Sequence, residues 1–213
     1  MLAMISVTAK PDVLRRWAWW LTALTIGWNA LEAIVAISSG LAAGSIALVG
    51  FGLDSVVEVS SALVIVWRLS RRDLDREANE RTERRAVRLI ALCFFAIAAY
   101  VTVDAALKLL GIDDHPEQSA VGLAITALSL VVMPTLAWAK RRVAAGLSSV
   151  ALKADAAETQ LCTYLSAVVL VGLGANALAG WWWMDPLAGL IVAALAIREG
   201  RTAWASGELC DCC

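Results

Sequence analysis

Long apolar runs, separated by short polar punctuation, dominate this chain. Residues 17–38, 44–67, 89–110, 120–139 and 150–179 each supply about 20 or more largely apolar positions, the length a helix needs to cross roughly 30 Å of hydrocarbon. A sixth run, 181–200, is shorter in its apolar part and opens on Trp181–Trp183 followed by Asp185-Pro186, which reads as a helix N-terminus. The pattern predicts an all-α membrane protein of six transmembrane helices forming one domain over residues 1–213.

Composition agrees with a bilayer as the solvent. Sixty per cent of the 213 residues are hydrophobic and 17% are charged, more apolar material than a soluble domain of this length needs for a core. The net charge of −1 conceals an asymmetry. Lys10, Arg15 and Arg16 precede the first run, eight arginines surround the connection between the second and third, and Lys140, Arg141, Arg142 and Lys153 lie between the fourth and fifth. The alternate connections, 39–43, 111–119 and 180–184, contain no Lys or Arg. The positive-inside rule therefore places both termini in the cytoplasm, as expected for a multi-pass protein of a plasma (inner) membrane, with no nucleic-acid partner. Trp17, Trp19, Trp20, Trp67, Trp138 and Trp204 fall at the ends assigned to the cytoplasm, and Trp181–Trp183 at the opposite interface. The first run is too long for a cleaved signal peptide. Residues 70–85 form a charged cytoplasmic connector in which Glu77 with Arg81 and Glu80 with Arg84 are spaced as helical ion pairs.

The chemistry lies in acidic residues that these runs carry into the hydrocarbon. An ionised side chain at a helix centre costs about 2.5–3.5 kcal/mol, so Asp54, Glu58, Asp155 and Glu158 require partners. No Lys or Arg is expected at their depth. Lys153, nearer the cytosolic end, is the candidate for an ion pair with Asp155 or Glu158. Protons or a bound cation would otherwise neutralise the cluster. Residues four apart share a helix face, so Asp54 with Glu58 and Glu158 with Cys162 each present two donors to one point between packed helices. Three carboxylates and a thiolate suit a transition metal such as zinc.

An internal echo supports pairing these helices. Ser45, Ala47, Leu48, Asp54 and Glu58 recur at constant offset as Ser149, Ala151, Leu152, Glu158 and Cys162. With Gly44-Ser45-x-Ala-Leu leading to Asp54-x-x-x-Glu58, Ala154-Asp155-x-x-Glu158-x-x-x-Cys162, and Trp183-Met-Asp185-Pro186, the chain resembles the cation diffusion facilitators. These are six-helix exporters of zinc and related divalent metals in exchange for protons.

The resemblance implies an intramembrane metal site at Asp54, Glu58, Glu158 and Cys162, Asp155 beside the cytosolic entrance, and a homodimer. Two departures stand out: histidine occupies none of the ligand positions, and the sequence stops soon after the sixth run, without the family's cytoplasmic metal-sensing domain. It reads as a divergent, truncated branch. Cys210, Cys212 and Cys213 could capture soft metals as thiolates in the tail, 205–213.

The remaining candidates are read as structural. Glu32 and Asp104 are expected nearer the outer side, Asp104 paired with Lys108, and Asp185 as a cap or interface group. His115, in the loop with Asp113, Asp114 and Glu117, reads as loop chemistry or a weak outer metal site. The functional expectation is a divalent transition-metal efflux transporter working as a metal/proton antiporter, zinc first among substrates and no permanent cofactor. The alternative is a proton-coupled exporter of small organic cations. An enzyme is not expected, since the single histidine is in a loop and no His-Glu-x-x-His pattern exists.

Overall fold

The computed structural model describes residues 11–70, 76–147 and 150–206. It consists of six helices: α1 (Pro11–Ala43), α2 (Ile46–Ser70), α3 (Arg76–Leu109), α4 (Ala120–Leu147), α5 (Val150–Ala179) and α6 (Met184–Ser206). Five of them, α1 to α5, are long and apolar enough to cross a membrane. α6 has 23 residues but carries Asp185, Arg198, Glu199 and Arg201, which dilute its apolar character. No strand occurs among the described residues.

The helices extend beyond the expected spans. α1 begins at Pro11, whose fixed φ and missing N–H suit a first helical position. Residues 76–85 of the charged connector are the first turns of α3. α4 continues through Pro134 to Leu147, eight residues past the expected end at 139. The side chains of Glu77, Arg81, Glu80 and Arg84, the echo position Ser149, and the tail residues Cys210, Cys212 and Cys213 lie outside what the structure describes.

α2 is the centre of the bundle, packing on α1, α3, α5 and α6, while α4 pairs with α5 and α3 with α6. One apolar core joins Leu48 and Phe51 of α2 to Met133 and Val143 of α4, Leu165 and Val169 of α5, and Val192 of α6. A second joins Ile46, Val49 and Val57 of α2 to Ile97 and Val101 of α3 and Ala193 of α6. The opposite faces present Leu24, Ile34, Leu63, Leu92, Val131 and Val171 outward, as lipid-facing helices require.

Small residues let α1 and α2 approach closely: a Cβ on Gly52 would lie 2.7 Å from Ile37 Cγ1 and 3.0 Å from its backbone nitrogen. Gly44 ends α1 at φ 61°, a left-handed conformation that glycine adopts without a Cβ clash. Ser45 then caps α2, its Oγ accepting from the Leu48 N–H at 3.2 Å.

The ends of the bundle are stitched by polar contacts. Asp185, fully buried, accepts from Ser45 Oγ at 2.5 Å and from the Ile46 N–H at 3.1 Å. The expected cap is therefore real, but it serves α2 rather than its own helix. The loop after α3 is tied by the Glu117 N–H to the Ala43 carbonyl at 2.8 Å, and by Asn176 Nδ2 to the Pro116 carbonyl at 3.0 Å. Lys108 pairs with Asp104 as the spacing predicts, and also lies 3.8 Å from Asp113. His115 stacks on Trp182 with ring centroids 3.9 Å apart.

Candidate cation site

Straight helices fix the order of polar groups along each face, and α2 brings Asp54, Glu58 and Ser61 to one side over two turns. These three, with Glu158 of α5 and Glu199 of α6, line one cleft. Its remaining wall is largely apolar, with Phe94 of α3, Leu161 and Leu165 of α5, and Leu195 and Ala196 of α6. Among the described residues, no lysine or arginine lines the cleft. Four carboxylates from three helices thus face one space.

Within the cleft the two principal helices are linked directly. Ser61 Oγ donates to Glu158 Oε2 at 2.9 Å, and Thr159 Oγ1 donates to Glu58 Oε1 at 3.1 Å. The helices run in opposite directions, so positions that correspond in sequence do not sit side by side. Glu58 instead lies level with Glu158 and Thr159, and Ser61 with Glu158.

Cys162 is buried and is not among the lining residues of the cleft; its Sγ donates to Glu32 Oε1 at 3.7 Å, and the thiol also interacts with Glu58. Glu32 of α1 is fully buried and gathers donors from every neighbouring helix: Trp28 Nε1 at 2.9 Å, Ser55 Oγ of α2 at 2.6 Å, and Ser129 Oγ of α4. The reading that put Glu32 nearer the outer side is corrected: it stands level with Ser55, the residue next to Asp54. The cause is that α1 runs to Ala43, which leaves Glu32 at least as far from the turn at Gly44 as Asp54 is.

The expected ion pair is also corrected. Lys153 is exposed, and the partner of Asp155 is Lys140, whose Nζ lies 2.8 Å from Asp155 Oδ2 with both side chains buried. Lys140 had been assigned to a connection between helices. Because α4 continues to Leu147 alongside α5, it is carried into the interior instead. The contact is close in distance but off the line of a hydrogen bond, and neither carboxylate oxygen of Asp155 has a hydrogen-bond partner among the described residues. Lys140 Nζ donates its hydrogen bond to Thr159 Oγ1 at 2.9 Å. Asp155 is buried against Lys140 and is not among the described residues lining the cleft.

Glu199 is the acid that sequence reasoning missed. It lies beside Arg198 and near the end of the weakest apolar run, so it resembled a flanking charge. The available signal was spacing: Ala196, Glu199 and Ala203 share a helical face, and that face lines the cleft. Among the described residues, no three His, Cys, Asp or Glu side chains converge closely enough to ligate one ion. The arrangement is a wide acidic cleft, not a closed cage.

Residues 23–207 match the family model of the cation efflux transmembrane domain. The chain belongs to that family. It is also 29% identical over 153 residues to an uncharacterized transporter of Synechocystis sp., the match covering 69% of this chain and 49% of the relative. The chain thus spans about half the length of that curated relative.

Proposed function

We propose that this protein carries divalent transition-metal cations across a membrane, through the acidic cleft between α2, α5 and α6. The observation that carries the reading is the set of four carboxylates, Asp54, Glu58, Glu158 and Glu199, on a cleft whose described lining residues include no lysine or arginine. In a low-dielectric setting such a cluster is tolerable only with compensating positive charge, and a dication supplies two units at one point. Oxygen donors suit many divalent ions. Zinc is the leading substrate, for which mixed carboxylate and thiolate ligation is familiar.

Transport is by alternating access with protons as the exchanged ion. A cation arriving from the cytosolic side displaces protons from the carboxylates, and protons from the far side return as it leaves. Closure of α5 and α6 on α2 would draw the carboxylates from cleft spacing to ligation distances, and could bring Cys162 across from Glu32. The protein is read as a homodimer of a plasma membrane, with α6 as the sixth span and both termini in the cytoplasm. These assignments rest on the family and on the distribution of Lys and Arg.

The test is zinc uptake into inverted vesicles under an imposed pH gradient. Uptake that follows the gradient and is lost in Glu158→Gln supports the reading; uptake indifferent to both overturns it. One observation favours a second reading: Phe94, Leu161 and Leu165 give the cleft an apolar wall for which a bare ion has no use. A small organic cation exported in exchange for protons would use the same acids. Zinc binding by purified protein that is abolished in Asp54→Asn separates the two.

A further inference from the structure

A lysine buried in a membrane helix bundle needs a reason, and Lys140 has a specific set of neighbours. It is fully buried, its Nζ lies 2.8 Å from Asp155 Oδ2 and donates to Thr159 Oγ1 at 2.9 Å, and that hydroxyl reaches Glu58 Oε1 at 3.1 Å. Lys140, Thr159 and Glu58 thus form a continuous chain from α4 through α5 to α2, ending on a carboxylate that lines the cleft. Lys140 itself does not line it. Its charge acts on Glu58 and Glu158 through space, and the threonine hydroxyl adds a hydrogen-bonded link to Glu58.

The hydroxyl has one proton and two acceptors within reach. Glu58 Oε1 is at 3.1 Å and the Asp155 backbone carbonyl at 3.0 Å. Since Lys140 already occupies a lone pair of Oγ1, that proton must choose between them. Two nearly equal distances make this a two-position element.

We propose that Lys140 is a resident counter-cation, and that Thr159 delivers its influence to Glu58 when the cleft is empty and withdraws it when cargo binds. With no cargo, the hydroxyl proton points to Glu58 and is polarised by the ammonium behind it. A cation on Glu58 repels that proton, which turns to the Asp155 carbonyl, while Lys140 stays against the Asp155 carboxylate. The relay gives the empty site a partner for Glu58 that cargo must displace. It weakens cargo binding and favours release, as turnover in a transporter demands.

The inference rests on the reading of the cleft as a cation site, and one calorimetric series separates the two. Full-length protein in detergent is titrated with zinc ions. Thr159→Val removes the hydroxyl while keeping the side chain's branching, and is expected to bind zinc roughly tenfold more tightly, the change associated with one hydrogen bond to a charged group. Thr159→Ser, which retains the hydroxyl, is expected to match the native protein. Lys140→Gln, which removes the resident charge, is expected to bind more tightly still.

Affinity unchanged or weakened in folded Thr159→Val, or in folded Lys140→Gln, overturns the relay and leaves a structural ion pair. If native protein binds no zinc, or Asp54→Asn binds it as well as native, the cation reading of the cleft fails and the relay fails with it. Zinc binding that is lost in Asp54→Asn but untouched by Thr159→Val sinks the relay alone.

Discussion

Asp185, at the start of α6, closes the N-terminus of α2 by accepting hydrogen bonds from Ser45 Oγ and the Ile46 N–H, across 140 and 139 residues of sequence. The first N–H groups of a helix have no internal partner, and inside a bundle water is not at hand to replace one. This contact also ties the helix bearing Glu199 to the helix bearing Asp54 and Glu58. Asp185→Ala is expected to destabilise the protein by about 1–3 kcal/mol, the cost of leaving buried donors unsatisfied. Thermal unfolding in detergent measures it, and Asp185→Asn, which keeps one carbonyl acceptor, should recover part of the loss.

Much of this was legible in the sequence because the bilayer simplifies the code. The apolar runs located the helices α1 to α5, and the i,i+4 spacing of Asp54 with Glu58 put both on one face of α2. What was not legible is how far each helix continues beyond its apolar part. Lys140 and Glu32 were misread for that reason alone: helix continues on past the hydrophobic run in α4, and beyond the expected boundary towards Gly44 in α1. The antiparallel packing of α2 and α5 likewise could not reveal that Cys162 turns to Glu32, because four-residue spacing gives a face and not a partner. Glu199 was hidden by Arg198, since adjacent opposite charges near a helix end read as solvent-facing.

Glu32 is expected to behave as a structural hub. Trp28, Ser55 and Ser129 donate to it from α1, α2 and α4, and Cys162 adds a longer contact from α5. Glu32→Leu would strand those donors in the interior, at roughly 2–3 kcal/mol or more. Glu32→Gln retains one acceptor oxygen and should cost less. Thermal unfolding of both variants, compared with native protein, checks the ranking; equal stability of Glu32→Leu would rule the hub out.

Gly52 tests how tightly α1 is held on α2. An added methyl would meet Ile37 Cγ1 at 2.7 Å, where a side chain can shift, but also the Ile37 nitrogen at 3.0 Å, where backbone must move. Gly52→Ala is expected to cost about 1–3 kcal/mol through overpacking. Gly27→Ala, in the same helix pair but with nothing within 4 Å of the new Cβ, provides the control and should be close to neutral. Melting temperatures of the two variants decide the point.

Glu199 and Cys162 give opposite expectations for the same measurement. Glu199 lines the cleft with Asp54, Glu58 and Glu158, whereas Cys162 is not among the lining residues and has its thiol between Glu32 and Glu58. If the cleft in its present arrangement receives the cation, removing the Glu199 charge takes away a direct attraction at close range. Glu199→Gln should then weaken zinc binding by roughly tenfold, about 1.4 kcal/mol. Cys162→Ser keeps a small donor against Glu32 and should leave zinc affinity close to native. Transport makes a further demand, because a closed state could draw the thiol across to the ion. Cys162→Ser that binds normally but exports slowly would assign the thiol to the closed state. Loss of affinity in Cys162→Ser with none in Glu199→Gln would instead mean that the cation is held on the α1 side, between Glu32 and Glu58, and that the open cleft is only its approach.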